Sequence, residues 1–211
     1  MEPPHRQRAH AVTSTSPAPS PRRNRLARIG VGFAAFVVLL WLIEVADYLL
    51  PADLDRYGVM PRDPAYLPNI ALVPLLHGGF DHVAANTLPL AVLGILSAMV
   101  AGVARFWWAS GIVVITSGLG VWLFETPHSI TIGASGLVFG YFGYLVGSGA
   151  FNRRMSDIVV AVVVVVLYGS IVWGVLPSQP GISWLGHLFG LIGGVAAAWL
   201  LRTRRTPETT S

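Results

Sequence analysis

Six long apolar runs, each at or near the length that crosses a bilayer, constrain this chain more than anything else in it. A hydrocarbon core of about 30 Å takes about 20 apolar residues per helical span. Runs at 30–50, 82–104, 106–124, 135–150, 158–176 and 184–201, each bounded by charge, Pro or Gly, meet or approach that length. Composition agrees: 54% of the 211 residues are hydrophobic and 11% are charged, against roughly 25% charged in an ordinary soluble domain. The expected fold is an all-α membrane protein, a six-helix bundle over residues 29–203. Residues 1–28 read as a disordered basic cytoplasmic tail, because their Pro, Ser, Thr and Arg cannot build a core. Residues 204–211 read as a short second tail. The first apolar run begins late and is followed by five more, so it reads as a retained helix and not as a signal peptide.

Charge sets the expected orientation. All fourteen basic side chains are Arg. With six spans, Arg6, Arg8, Arg22, Arg23, Arg25, Arg28, Arg105, Arg153, Arg154, Arg202, Arg204 and Arg205 fall on one side, leaving Arg56 and Arg62 on the other. By the positive-inside rule both termini are then cytoplasmic in a multi-pass protein of the cell membrane. The same placement accounts for the net charge of +4 without a nucleic-acid partner. With neither Cys nor Lys in the chain, thiol chemistry and a Ser–Lys pair are excluded.

Two segments depart from simple spans. About thirty residues, 51–81, form a first external loop, well beyond the usual connection of about 4–6. Its Leu54, Tyr57, Met60, Tyr66, Ile70 and Leu75 predict that it lies against the helices or the lipid interface. The fourth span, sixteen residues long, reaches about 24 Å, so its outer end starts below the surface. The stretch 130–133 leading into it is then irregular backbone at membrane depth, tolerated only where protein or a water-filled cavity satisfies its amides. Small residues at four-residue spacing, Gly136, Gly140, Gly143 and Gly147 on the fourth span and Gly186, Gly190 and Gly194 on the sixth, predict close backbone approach between those two helices.

Polar residues inside spans are costly and point to function. Counting back from the Arg at the end of each span puts Ser135 about 27 Å, His187 about 22 Å and Asn86 about 28 Å from the same side, which is one layer. His82, one turn from Asn86, shares its helix face. A serine hydroxyl needs an adjacent base, which His187 can supply. The oxyanion needs donors, which Asn86, His82 and the Ser135 N–H can supply. No Asp or Glu lies near His187 in sequence, so the set reads as a dyad, with Glu125 and Asp81 the carboxylates that could approach in three dimensions.

Gly133-Ala134-Ser135-Gly136 opening a short helix, Gly186-His187-Leu188-Phe189-Gly190 in the last span, and the run from His77 through His82 to Asn86 together resemble the rhomboid intramembrane proteases over residues 30–202. The resemblance implies a six-helix bundle with a long first external loop, in which Ser135 is the nucleophile, His187 the base, and His82 and Asn86 the oxyanion donors. It further implies that membrane-anchored, often single-span, proteins are cut within or beside their transmembrane segments, in contact with the bilayer and with no cofactor. His77 matches the first histidine of the family's pattern and reads as a link between the loop and the bundle. Phe139 stands where many members have a Tyr that supports the histidine, and the Trp-Arg pair many carry in the first loop is missing here. A zinc protease would need something like H-E-x-x-H, which the chain lacks, and a site of His77, His82 and His187 would leave Ser135 unexplained. An inactive client-binding relative would be marked by a missing Ser or His. A six-helix transporter would carry paired ionisable groups along a path, and none occur here.

Overall fold

The computed structural model describes residues 21–51, 53–177 and 181–202. Among these the architecture is all-α: α1 (Pro21–Leu49), α2 (Phe80–Ala101), α3 (Val103–Phe124), α4 (Ser135–Asn152), α5 (Met155–Tyr168) and α6 (Trp184–Leu200). Four spans are long and apolar enough to cross a membrane: 25–49, α2, α3 and 155–175, the last being α5 with the 3₁₀ turn that extends it. The apolar α6 is shorter, at 17 residues. α4 is the central helix, buried along most of its length, so its neighbours and not lipid are its solvent.

Most helix ends fall within a few residues of the apolar runs. The exception is α1, which begins at Pro21, so residues 21–28 belong to a helix and not to a disordered tail. Pro is tolerated at a first helical position, where its missing N–H has no intrahelical acceptor. The remaining tail residues, 1–20 and 203–211, lie outside the described residues. The fifth run, read as one span over 158–176, is α-helical only to Tyr168 and tightens into a 3₁₀ turn over Gly169–Val175. Gly102, with φ of 79°, separates α2 from α3 in a conformation that costs glycine little.

Within lipid, helices associate through close packing more than through hydrophobic transfer. The glycine ridges of α4 and α6 do face each other. A Cβ on Gly190 would strike the carbonyl of Gly136, and one on Gly194 would strike that of Gly140. α3 closes the third side, with Phe189 seated against Gly120 and the Ser117 hydroxyl donating to the Gly186 carbonyl at 2.8 Å.

The external segment is folded, with 3₁₀ turns at Leu54–Tyr57, Pro64–Tyr66, Pro68–Ala71 and Val73–Leu75. Ile70 packs into the notch at Gly118 of α3. Reciprocal hydrogen bonds pin the loop: Arg62 N–H donates to the Trp122 carbonyl at 3.0 Å, and the Trp122 indole donates to the Asp63 carbonyl at 2.9 Å. Trp122 of α3 thus holds the main chain at residues 62–63 of a loop that has no Trp-Arg pair of its own. The same loop satisfies the irregular backbone before α4. Val59 and Thr131 exchange two 3.0 Å bonds, and Gly133 N–H reaches the Val73 carbonyl at 2.9 Å.

Candidate active site

Ser135 is the first residue of α4. An α-helix leaves its first N–H groups without intrahelical acceptors, and those of Ser135 and Gly136 have no partner among the described residues. Both residues line a cavity of about 500 Å³. The chain enters that position through Gly133, whose φ of 120° suits a residue without Cβ. A second constraint applies there, since a Cβ on Gly133 would lie 2.8 Å from His82 Nε2 and 3.8 Å from Ser135 Oγ. The missing side chain is what lets the His82 ring approach the serine.

His187 lies in the first turn of α6, buried at 7% exposure, and lines the same cavity. Its Nδ1 is 2.8 Å from the carbonyl oxygen of Gly174. A carbonyl can only accept, so in the neutral ring the proton sits on Nδ1 and the lone pair on Nε2. The Phe139 ring is stacked on the imidazole face, with centroids 4.1 Å apart. Among the described residues no carboxylate is hydrogen-bonded to His187. Glu125, at the C-terminal end of α3, instead accepts from the Ser183 hydroxyl at 2.9 Å, and Ser183 caps α6 by accepting from Gly186 N–H at 3.1 Å. Asp81 is exposed in the first turn of α2. No hydrogen bond joins Ser135 to His187; the two face one cavity.

His82 has the complementary tautomer. Its Nδ1 accepts from Gly78 N–H at 3.2 Å, which leaves the neutral ring an N–H at Nε2, beside Gly133. Asn86, also on the cavity, spends one amide hydrogen on the His82 carbonyl at 3.0 Å. His77 is set back from the cavity at 2% exposure, edge-on to His82 with centroids 5.0 Å apart, and its Nε2 accepts from Ala134 N–H at 3.4 Å. Among the described residues no three His, Asp or Glu side chains gather as metal ligands.

The structure therefore gathers Ser135, His187, His82, Asn86, Phe139, Gly133, Gly136 and Gly186 around one cavity. Gly190 stands behind it as a packing residue, and His77 supports its rim. Gly174, Ser183 and Ser117 were not singled out by sequence. Gly174 works through its backbone carbonyl and small size, which leave no residue-type signature, and Ser117 acts through a hydroxyl whose acceptor, the Gly186 carbonyl, is 69 residues away. Ser183, placed three residues ahead of Gly186 at the start of an apolar run, does carry a helix-cap signal.

Known proteins resemble this chain in sequence. The family model described as Rhomboid domain matches residues 66–204. The chain is similar to an uncharacterized protein of Mycobacterium tuberculosis, 41% identical with 95% of this chain and 90% of that one covered. It is 29% identical to a putative rhomboid protease of Bacillus subtilis over 60% of this chain and 63% of the relative. A rhomboid protease of the same bacterium is 33% identical over 60% of this chain and 25% of its own length.

Proposed function

The chain belongs to the rhomboid family, and from that premise we propose that it is an intramembrane serine endopeptidase, with Ser135 as nucleophile and His187 as base. Its substrates are membrane-anchored proteins cut within or beside their transmembrane segments. The observation that carries the reading is the hydrogen bond from His187 Nδ1–H to the Gly174 carbonyl, which leaves Nε2 free to take a proton on the cavity that Ser135 lines. In a Ser–His–Asp triad a carboxylate fixes this tautomer; here a backbone carbonyl does so, and the Phe139 stack holds the ring plane.

The reaction runs as two acyl transfers. Ser135 Oγ attacks the scissile carbonyl carbon as its proton moves to His187 Nε2, and the imidazolium keeps its Nδ1–H on the Gly174 carbonyl. The new oxyanion takes hydrogen bonds from His82 Nε2–H and from the unpaired N–H groups of Ser135 and Gly136, with the second amide hydrogen of Asn86 available as well. Collapse expels the amine, which leaves with the proton from His187, and Ser135 carries the acyl group. Water then attacks the ester, gives its proton to His187, and the acid leaves as Ser135 Oγ recovers that proton. Catalytic hydrogen bonds commonly tighten only with substrate in place, which accords with a serine and histidine that share a cavity but are not bonded.

The deciding experiment incubates the purified protein in liposomes with a panel of single-span substrates. Cleavage by the wild type that vanishes in Ser135→Ala and in His187→Ala is the expected result. Because the two act as a unit, the double variant should be no worse than either single one. Near-normal turnover by Ser135→Ala, in a preparation free of other proteases, overturns the assignment. Both termini are proposed to be cytoplasmic: cysteines placed at Ser14 and Thr209 should resist an impermeant thiol reagent in intact cells while one at Asp63 reacts.

A further inference from the structure

A second and larger cavity, of about 980 Å³, lies between α1 and α3, away from Ser135. Its long walls are apolar, and one end is charged. On α1, Arg25, Arg28, Gly32 and Phe36 follow one another at three- or four-residue spacing, so they share a face. From Arg25 to Phe36 is about 17 Å of helix, and the facing stretch of α3, from Val103 to Ile115, is about 18 Å. Half of a hydrocarbon core of about 30 Å is about 15 Å. The groove therefore has the depth of one leaflet. Pro74 and Leu75 of the external segment close its far end. The polar atoms in its wall are satisfied internally, since Ser110 and Tyr141 hydrogen-bond each other at 2.9 Å. Space is left open, because a Cβ on Gly32 or Gly111 would meet nothing within 4 Å.

We infer that this groove is a binding site for an anionic phospholipid of the leaflet in which α1 begins, with its phosphate on Arg25 and Arg28 and one acyl chain lying between α1 and α3. Charge complementarity selects this occupant. Two exposed guanidiniums at one end and a satisfied apolar trough for one leaflet's depth match a headgroup and a tail, and basic pockets between transmembrane helices are where anionic headgroups bind. A neutral substrate helix would leave both arginines without a partner. The chain terminus of the lipid would press on Pro74 and Leu75, next to Val73, whose carbonyl holds Gly133 at the site. The proposal does not depend on protease activity.

The test uses full-length protein stripped of lipid in a neutral detergent, titrated with palmitoyl-oleoyl phosphatidylglycerol or with the phosphatidylcholine of the same chains, and read by native mass spectrometry. The wild type should retain one phosphatidylglycerol in preference to phosphatidylcholine. Each Arg near an anionic headgroup contributes about fivefold in affinity, so the double variant Arg25→Gln/Arg28→Gln should bind phosphatidylglycerol about 25-fold more weakly and should lose its preference for phosphatidylglycerol over phosphatidylcholine. Gly32→Leu and Gly111→Leu fill the trough and should expel both lipids. Leu favours a helix over Gly, and unchanged helicity by circular dichroism confirms that these variants fold. Equal retention of the two lipids by the wild type, or undiminished phosphatidylglycerol in both filled variants, overturns the inference. So does a groove that filling closes to a substrate span or to a second copy, seen as lost crosslinking or as dissociation of a dimer, while lipid binding persists.

Discussion

The ring of Phe139 lies flat against the imidazole of His187, centroids 4.1 Å apart and planes within 8° of parallel. The stack holds the plane of the His187 ring, and the Gly174 carbonyl on Nδ1 sets its tautomer. Gly174 belongs to the same arrangement, since a Cβ there would come within 2.7 Å of Phe139 Cζ and 3.3 Å of His187 Nδ1.

Phe139→Leu should therefore lower kcat about threefold to tenfold and leave KM nearly unchanged. An aromatic pair is worth about 0.5–1.5 kcal/mol beyond its buried area, and here that energy orients a base. Phe139→Trp, which keeps a ring face, should recover more activity than Leu does. Equal activity in the wild type and Phe139→Leu would reduce the ring to packing. Steady-state kinetics on one reporter substrate separates the outcomes.

How much of this was legible in the sequence depends on which atoms do the work. The α4–α6 contact was legible because glycines at four-residue spacing permit one kind of packing, and Ser135 and His187 lie at the outer ends of those two ridges. His187's acceptor was not, because it is a backbone carbonyl thirteen residues away, reached only because the chain tightens into a 3₁₀ turn after Tyr168. Glu125 was visible as a carboxylate that could approach the histidine, yet it caps α6 through Ser183 instead. The loop anchor was hidden for a related reason. Arg62 and Trp122 are sixty residues apart, and to the Trp122 contact the loop contributes only the Arg62 N–H and the Asp63 carbonyl, so no dipeptide records the pairing.

The two proposed oxyanion donors, His82 and Asn86, should not contribute equally. Depth along α2 alone would rank Asn86 above His82, which lies one turn nearer the surface. Their hydrogen bonds reverse that order, because His82 offers its Nε2–H beside Gly133 while Asn86 has already committed one amide hydrogen to its own helix. His82→Ala should lose about 10²–10³ in kcat, the usual cost of one oxyanion donor, and Asn86→Ala less. Both variants should still react with a serine-directed fluorophosphonate. An Asn86→Ala defect larger than that of His82→Ala would restore the first ranking.

Trp122→Phe removes the indole N–H from the Asp63 carbonyl and keeps most of the ring. One hydrogen bond contributes about 0.5–1.5 kcal/mol net, so unfolding in detergent should shift toward lower stability by about that amount. Because the same segment holds Gly133 and Thr131, fluorophosphonate labelling of Ser135 should also slow. A variant that unfolds with the wild type and labels at the same rate would show that the indole bond adds nothing to the main-chain bonds and to Ile70 in its α3 notch.

Acidification should act on the external segment through two groups of opposite sign. Burial, and then the neighbouring His82, lower the His77 pKa from 6.5 to about 4, with the Leu75 carbonyl opposing them. The unfolded chain takes that proton first, so His77 removes stability as pH falls from about 6.5 to about 4. Asp55 behaves the other way. Burial, followed by Asp47, Glu44 and Asp53, raises its pKa from 3.8 to about 6, so the folded state takes this proton first and gains stability as pH falls from about 6 toward 3.8. In the wild type the two offset each other between about 6 and 4. His77→Gln, whose amide oxygen can still accept from Ala134 N–H, should abolish the loss and leave a protein that gains stability on mild acidification. Asp55→Asn removes the carboxylate repulsion, so it should be more stable than wild type at pH 8 and should lose stability more steeply below pH 6. Thermal unfolding in detergent between pH 4 and 8 reads both effects. A His77→Gln profile parallel to the wild type's would mean that His77 is not the group that titrates there.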